Sequence, residues 1–177
     1  TCGYPYATML ADRVTLVGTP AHAVTGAAPG RYFSVLVARK GEAPRDIGKL
    51  AQKRFAFNMK QSQSGFAAPA RLLAGHGHAS LPEPLETGAH RASICAVAEE
   101  DLSVFATTPE TPALPLITAS GNAGRAGKIA DAVEAAIRSL DREVRDALFV
   151  TGLARFTQAD YAPLSEPVPV HQAFPNL

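Results

Sequence analysis

Two hydroxyls and a glycine, Ser62, Ser64 and Gly65, with Gln63 between the serines, stand where one kind of run gives way to another. Ahead of them Arg54-Phe55-Ala56-Phe57-Asn58 has the composition of a strand. Behind them Phe66 to Ala74 places Phe66, Ala70, Leu73 and Ala74 on one helical stripe, with Pro69 tolerable if it lies in the first turn. A strand-to-helix turn of this kind gathers amide N–H groups without intrahelical acceptors at the positive end of the helix dipole. The two hydroxyls, with the amides of Ser64, Gly65 and Phe66, would cradle a small oxyanion. The structural alternative is that Ser64 simply caps the helix.

His90 follows Thr87-Gly88 at a second helix start, where a ring nitrogen can donate to an anion; equally, it is a surface histidine beside a cap. Tyr4, in Cys2-Gly3-Tyr4-Pro5-Tyr6, offers its hydroxyl to a pocket or packs in an ordinary turn. Other chemistry has less support. His76 and His78 flank Gly77, but no further metal ligand is signposted. Cys2 and His90 could in principle form a thiol–imidazole pair, yet no elbow motif accompanies them. The glycine-rich nucleotide motifs are absent, so no cofactor is expected. Cys2 and Cys95 read as free thiols rather than a bridge.

The 177 residues are 46% hydrophobic and 19% charged, with a formal net charge of +1, which describes a globular chain able to bury a core. No basic run supports nucleic-acid binding, and no apolar run of about 18 residues supports a direct membrane span. The chain opens on Thr1 without a signal-peptide pattern, which a removed leader and a missing N-terminus explain equally.

Around the candidate residues, the pattern predicts a strand over Val14–Gly18, a Pro/Gly/Ala connector from Pro20 to Gly30, and a strand over Tyr32–Ala38 buried on both faces. A helix is expected over Pro44–Gln52, with Ile47, Leu50 and Ala51 on one side, and a loop from Gly75 through two prolines. Further helices are expected over His90–Glu100, Ala126–Leu140 and Arg142–Val150. The last of these packs through Val144, Leu148 and Phe149 and ends at Gly152. Val104–Ala106 and Leu116–Ala119 read as strands, and the tail from Pro163 as irregular. The fold class is α/β.

In order along the chain, five groups of residues stand out: Thr1-Cys2-Gly3-Tyr4-Pro5; Val14 to Pro20; Phe55 to Asn58 with Ser62-Gln63-Ser64-Gly65; Thr87-Gly88-Ala89-His90-Arg91-Ala92-Ser93; and Thr108-Pro109 with Leu114 to Ala119. Together, to about Tyr161, they resemble the phosphate/phosphite/phosphonate substrate-binding proteins of ABC importers, the PhnD-like group. The resemblance implies a two-lobed, type 2 periplasmic-binding-protein-like fold, with lobe 1 over 1–31 and 104–177 and lobe 2 over 32–103. It implies that Ser62, Gln63, Ser64, Gly65 and His90 contact a phosphate or phosphonate ligand, with Tyr4 lining the cleft. It further implies ABC transporter membrane subunits as partners, a periplasmic location and no catalysis.

Two departures from the family make the fold incomplete in expectation: its N-terminal βα portion is missing, and Glu99-Glu100-Asp101 leads directly into Leu102 where the family has a further segment. Gln63 stands where well-studied members carry a hydroxyl residue. A cytoplasmic ligand-sensing module of the same fold class, and an enzyme using Cys2 as nucleophile, are the alternative readings. In the transport reading, the two helix beginnings converge across a gap between lobes.

Overall fold

A computed structural model describes residues 1–78, 84–97 and 101–168. The strands among them are β1 (Val14–His22), β2 (Arg31–Tyr32), β3 (Val35–Arg39), β4 (Phe55–Phe57), β5 (Pro84–Glu86), β6 (Leu102–Thr107), β7 (Thr111–Pro112), β8 (Leu116–Ala119) and β9 (Val150–Ala154). The α-helices are α1 (Gly3–Pro5), α2 (Ala68–Gly75), α3 (His90–Val97), α4 (Ala126–Ser139), α5 (Arg142–Leu148) and α6 (Gln158–Tyr161). The chain divides into two compact units, one of Thr1–Tyr32 with Glu110–Glu166 and one built on Phe33–Pro109.

The first unit rests on an antiparallel sheet in the order β8-β1-β9. β1 is longer than its β-branched core suggests. It continues through Pro20 to His22 because its second half pairs with β9, Thr19 opposite Ala154 and Pro20 opposite Leu153. The connector therefore begins after His22 rather than at Pro20. Helix α4 covers this sheet: Ala130 is fully buried against Val17 and Leu153, with Ile129, Val133 and Ile137 packed beside them. That is the stripe expected from the sequence, and it shows why the i, i+4, i+8 spacing matters.

Helix α5 departs from expectation. It ends at Leu148, where Phe149 adopts a left-handed conformation (φ 53°), and Val150–Ala154 then leaves as β9. Gly152 lies inside that strand. Val144, Leu148 and Phe149 are exposed instead of packed, since the tertiary demand for a β1 partner overrides the local helical pattern.

A second cluster joins Tyr6, Tyr161 and Leu164. The Tyr6 and Tyr161 rings meet edge to face at 5.0 Å. Leu164, within the 3-10 turn Ala162–Ser165, is 4% exposed, so the tail is ordered here rather than irregular. Tyr161 donates its hydroxyl proton to the carbonyl of Ala113 at 2.8 Å, and the same oxygen accepts from Thr19 Oγ1 at 2.6 Å.

In the second unit β3 pairs antiparallel with β6, and β4 pairs parallel with β5. The predicted strand over Tyr32–Ala38 is split, Arg31–Tyr32 pairing with β7 and Val35–Arg39 with β6. Among the described residues β3 has a single partner strand, and the expected burial on both faces is not observed: Leu36 is buried while Val35 is 50% exposed. The predicted Pro44–Gln52 helix is a shorter 3-10 segment, Ile47–Gln52, with the Asp46 carboxylate accepting from the Gly48 amide at 3.0 Å.

The prolines after Gly75 hide a strand. Pro84 opens β5, a position that a residue without an N–H can occupy. Phe57, Phe66, Ala67, Ala70 and Leu73 form the buried seam beneath β4 and α2, with the Phe57 and Phe66 rings 5.1 Å apart. Helix α3 buries none of its described residues, against the apolar face expected from Ala92, Ile94, Cys95 and Val97; Ala98 to Glu100 lie outside the described residues.

Replacing Tyr161 with Phe should destabilise the protein by about 1–3 kcal/mol, because Thr19 and the Ala113 carbonyl would stay buried without their partner. Burial also lifts the Tyr161 hydroxyl from 10.0 to about 12. The folded protein then keeps a proton that the unfolded chain releases, so stability is retained below about pH 10 and falls as pH rises towards 12. Denaturant titrations across that range should show a shallower decline in Tyr161→Phe; an identical decline would refute the assignment.

Candidate functional site

The site grows from the parallel pair β4–β5, in which Phe55 lies opposite Pro84, Ala56 opposite Leu85 and Phe57 opposite Glu86. The ladder extends past the strands. Thr87 donates its amide to the Phe57 carbonyl at 2.9 Å, and Gly88 donates to the Asn58 carbonyl at 2.7 Å. Thr87 Oγ1 also meets the Phe57 carbonyl at 3.0 Å and Ser93 Oγ at 2.6 Å, which ties the end of β5 to the first turn of α3. Because the strands run the same way, the helices that follow them begin at the same edge. The two helix starts do converge, but both belong to the second unit; the expected convergence across a gap between lobes is replaced by convergence within one unit.

After β4, the chain turns at Ser62 and enters a wide helical turn, Gln63–Ala67, that continues into α2. Pro69 falls in the first turn of α2, as the sequence requires. The cap is Ser62, whose Oγ accepts from the Gly65 amide at 3.0 Å. The amides of Phe66 and Ala67 both turn to the Ser62 carbonyl, at 3.2 and 3.0 Å. Two of the three amides expected to hold an anion, those of Gly65 and Phe66, are thus engaged within the turn. The first helical amides, on Gln63 and Ser64, have no carbonyl a turn earlier to bind.

Ser64 is free of the capping role. Its Oγ lies 3.3 Å from His90 Nε2, across 26 residues of chain. Asn58 Nδ2 lies 3.2 Å from the same nitrogen. His90 is exposed and Ser64 half-buried, so both can meet a ligand, while Asn58 stands behind them at 6% exposure. Gly65 is required for space: a Cβ there would run into Asn58 Oδ1 and come within 3.2 Å of Ser62 Oγ. Gln63 is 1% exposed and neither side-chain polar atom has a hydrogen-bond partner among the described residues, so its carboxamide is enclosed in the unit rather than presented at the surface.

Tyr4 lies in the first unit within α1, and its carbonyl accepts from Thr8 Oγ1 at 2.8 Å. Cys2 is partly exposed and Cys95 exposed, both as free thiols. Asn58 is the member of this group that residue types alone do not single out. Its position as the last residue of the strand-like run, four residues before Ser62, was the available signal.

The surface so built offers a serine hydroxyl, a histidine ring nitrogen and helix-start amides, all able to donate and none carrying negative charge. Such a set suits an oxyanion. Comparisons with known proteins are in keeping with that chemistry. Residues 1–108 match the family model described as ABC transporter, phosphonate, periplasmic substrate-binding protein. No curated protein matches the chain in sequence. Among solved structures, XAC2383 from Xanthomonas citri bound to ATP is similar in fold, with a TM-score of 0.67 at 12% identity, covering 92% of this chain and 74% of that one. XAC2383 bound to chloride ion gives 0.67 at 13% identity, over 99% of this chain and 77% of that one.

Ser62→Ala should lower stability by about 1 kcal/mol through loss of the cap. Gly65→Ala should displace Asn58 and press on the cap's hydroxyl, 3.2 Å from the added Cβ. Chemical denaturation paired with a crystal structure of Gly65→Ala checks both; an unmoved Asn58 side chain would contradict the spatial argument.

Proposed function

The chain belongs to the family of phosphonate ABC-transporter periplasmic substrate-binding proteins, and on that premise we propose that it captures a small oxyanion, a phosphonate, phosphate or phosphite, for delivery to the membrane subunits of an importer. The family is one of transport proteins rather than enzymes, and it is periplasmic. No helix among the described residues is long and apolar enough to cross a membrane. In this reading the two units correspond to the two lobes of a type 2 periplasmic-binding fold.

One observation supports the ligand class above all: Ser64 and His90, from separate helix starts, meet at 3.3 Å at the end of the parallel strand pair. Ser64 contributes its hydroxyl and amide, and His90 a ring N–H. Ser62 and Gly65 shape the turn, and Gln63 contributes through its backbone amide. A tetrahedral phosphoryl group has three oxygens to distribute over these donors, and hydrogen bonds to its charged oxygens are stronger than those between neutral partners. Binding would involve no covalent step. Differential contacts in the bound state would stabilise the transport-competent conformation.

Ser64→Ala and His90→Ala should each weaken binding of methylphosphonate and of inorganic phosphate by about tenfold or more, ~1.4 kcal/mol or above. Isothermal titration calorimetry measures this directly, and Tyr4→Phe in the same series tests whether the first unit contributes. ATP, the ligand of the Xanthomonas protein, serves as a further titrant. Unchanged affinities in both the Ser64 and His90 variants would remove the site.

A further inference from the structure

Asn58 presents an asymmetry that its neighbours explain. Its Nδ2 lies 3.2 Å from His90 Nε2, whereas its Oδ1 is buried with no conventional hydrogen-bond partner among the described residues. Oδ1 occupies the direction in which a Cβ on Gly65 would project. In glycine a hydrogen stands there, so a Gly65 Cα–H points at the oxygen. A Cα–H carries partial positive charge and forms a weak hydrogen bond with an amide oxygen, but it would repel an NH2 group in that place. The carboxamide is therefore oriented, with its oxygen towards Gly65 and its NH2 towards His90.

An NH2 group can only donate, so the nitrogen it meets must accept. We propose that Asn58 is a positioning residue that holds neutral His90 with Nε2 unprotonated and the proton on Nδ1, making Nδ1–H the donor that His90 offers to its ligand. Nδ1 itself makes no hydrogen bond among the described residues. The hydrogen bond made by one ring nitrogen decides the protonation of the other. Here the Asn58 carbonyl is in turn fixed by the Gly88 amide at 2.7 Å, so the strand pair sets where the carboxamide stands.

A consequence for specificity follows. With Nε2 as acceptor, the Ser64 hydroxyl, 3.3 Å away, shares that nitrogen's one lone pair with Asn58 before binding and turns to the ligand afterwards. Both side chains then face the ligand as donors, which favours a deprotonated oxygen over a P–OH group. The opposite tautomer would present the Nδ1 lone pair and reverse that preference. This inference rests on the reading of Ser64 and His90 as ligand donors, but the tautomer itself can be measured without any ligand.

The test is nitrogen-15 NMR of the histidine side chains of the whole protein, in buffer alkaline enough to keep the rings neutral. The His90 signals are identified by their loss in His90→Ala. The expected spectrum shows Nδ1 protonated and Nε2 bare. Asn58→Asp, whose carboxylate can only accept, should move the proton to Nε2 and weaken methylphosphonate binding about tenfold or more; Gly65→Ala, by displacing Asn58, should also disturb the tautomer. A wild-type spectrum with the proton on Nε2, or an Asn58→Asp protein that is folded with its tautomer unchanged, would overturn the inference. Should the tautomer be as expected while wild-type protein binds neither methylphosphonate nor phosphate, the positioning role of Asn58 stands and the functional reading falls.

Discussion

The candidate site depends on one short piece of pairing, the parallel ladder between Phe55–Phe57 and Pro84–Glu86 with its extension through Thr87 and Gly88. Parallel strands present their C-terminal ends on the same side, and here each end feeds a helix. The two positive dipole ends therefore lie next to each other without any side chain having to arrange it. An antiparallel pairing of the same segments would put them at opposite edges. The Thr87 side chain strengthens this geometry by bonding at once to the Phe57 carbonyl and to Ser93, which locks the start of α3 to the strand beside it.

Anchoring at the turn is hydrophobic as much as polar. Phe57 and Phe66 pack at a tilt beneath it, and Ala67, Ala70 and Leu73 seal the seam. Burial of such side chains contributes roughly 1.5–3 kcal/mol for each of the larger ones. That stabilisation has to offset the expense of enclosing polar atoms close by. Among the described residues, Asn58 Oδ1 and both polar atoms of Gln63 are buried without conventional partners, a concentration that well-packed interiors rarely tolerate. Departures from full satisfaction of this kind gather where a protein holds a group for function rather than for stability.

The first unit shows the complementary case, with no buried side-chain polar atom left unpartnered among its described residues. Tyr161 both donates and accepts, joining Thr19 on the central strand to the carbonyl of Ala113, and its ring packs on Tyr6. Arg155, just after β9, reaches Asp131 at 2.8 Å and Glu134 at 2.9 Å on α4, but at the surface such pairs add little. The other buried cluster of this unit is the packing of α4 on the sheet.

Periodicity in the sequence determined α4 almost to the residue, because its apolar stripe needed only one surface to cover. The strand Phe55–Phe57, the helical run beyond Ser62 and the placement of Pro69 were equally legible, as was the order of motifs that marks the family. What the sequence could not determine were the features that arise from pairing between distant segments: the extension of β1 through Pro20, the conversion of residues after Phe149 into β9, and the strand at Pro84. Local propensity is weaker than a ladder of backbone hydrogen bonds, so these were decided by the partner strand. The site divides along the same line. Hydroxyls, glycine and histidine at two helix starts could be read from residue types alone. That Ser62 rather than Ser64 takes the cap, that Gly65 makes room for Asn58, and that Asn58 and Ser64 converge on one nitrogen of His90 required the chain to close on itself, since only there do atoms separated by tens of residues come within hydrogen-bonding distance.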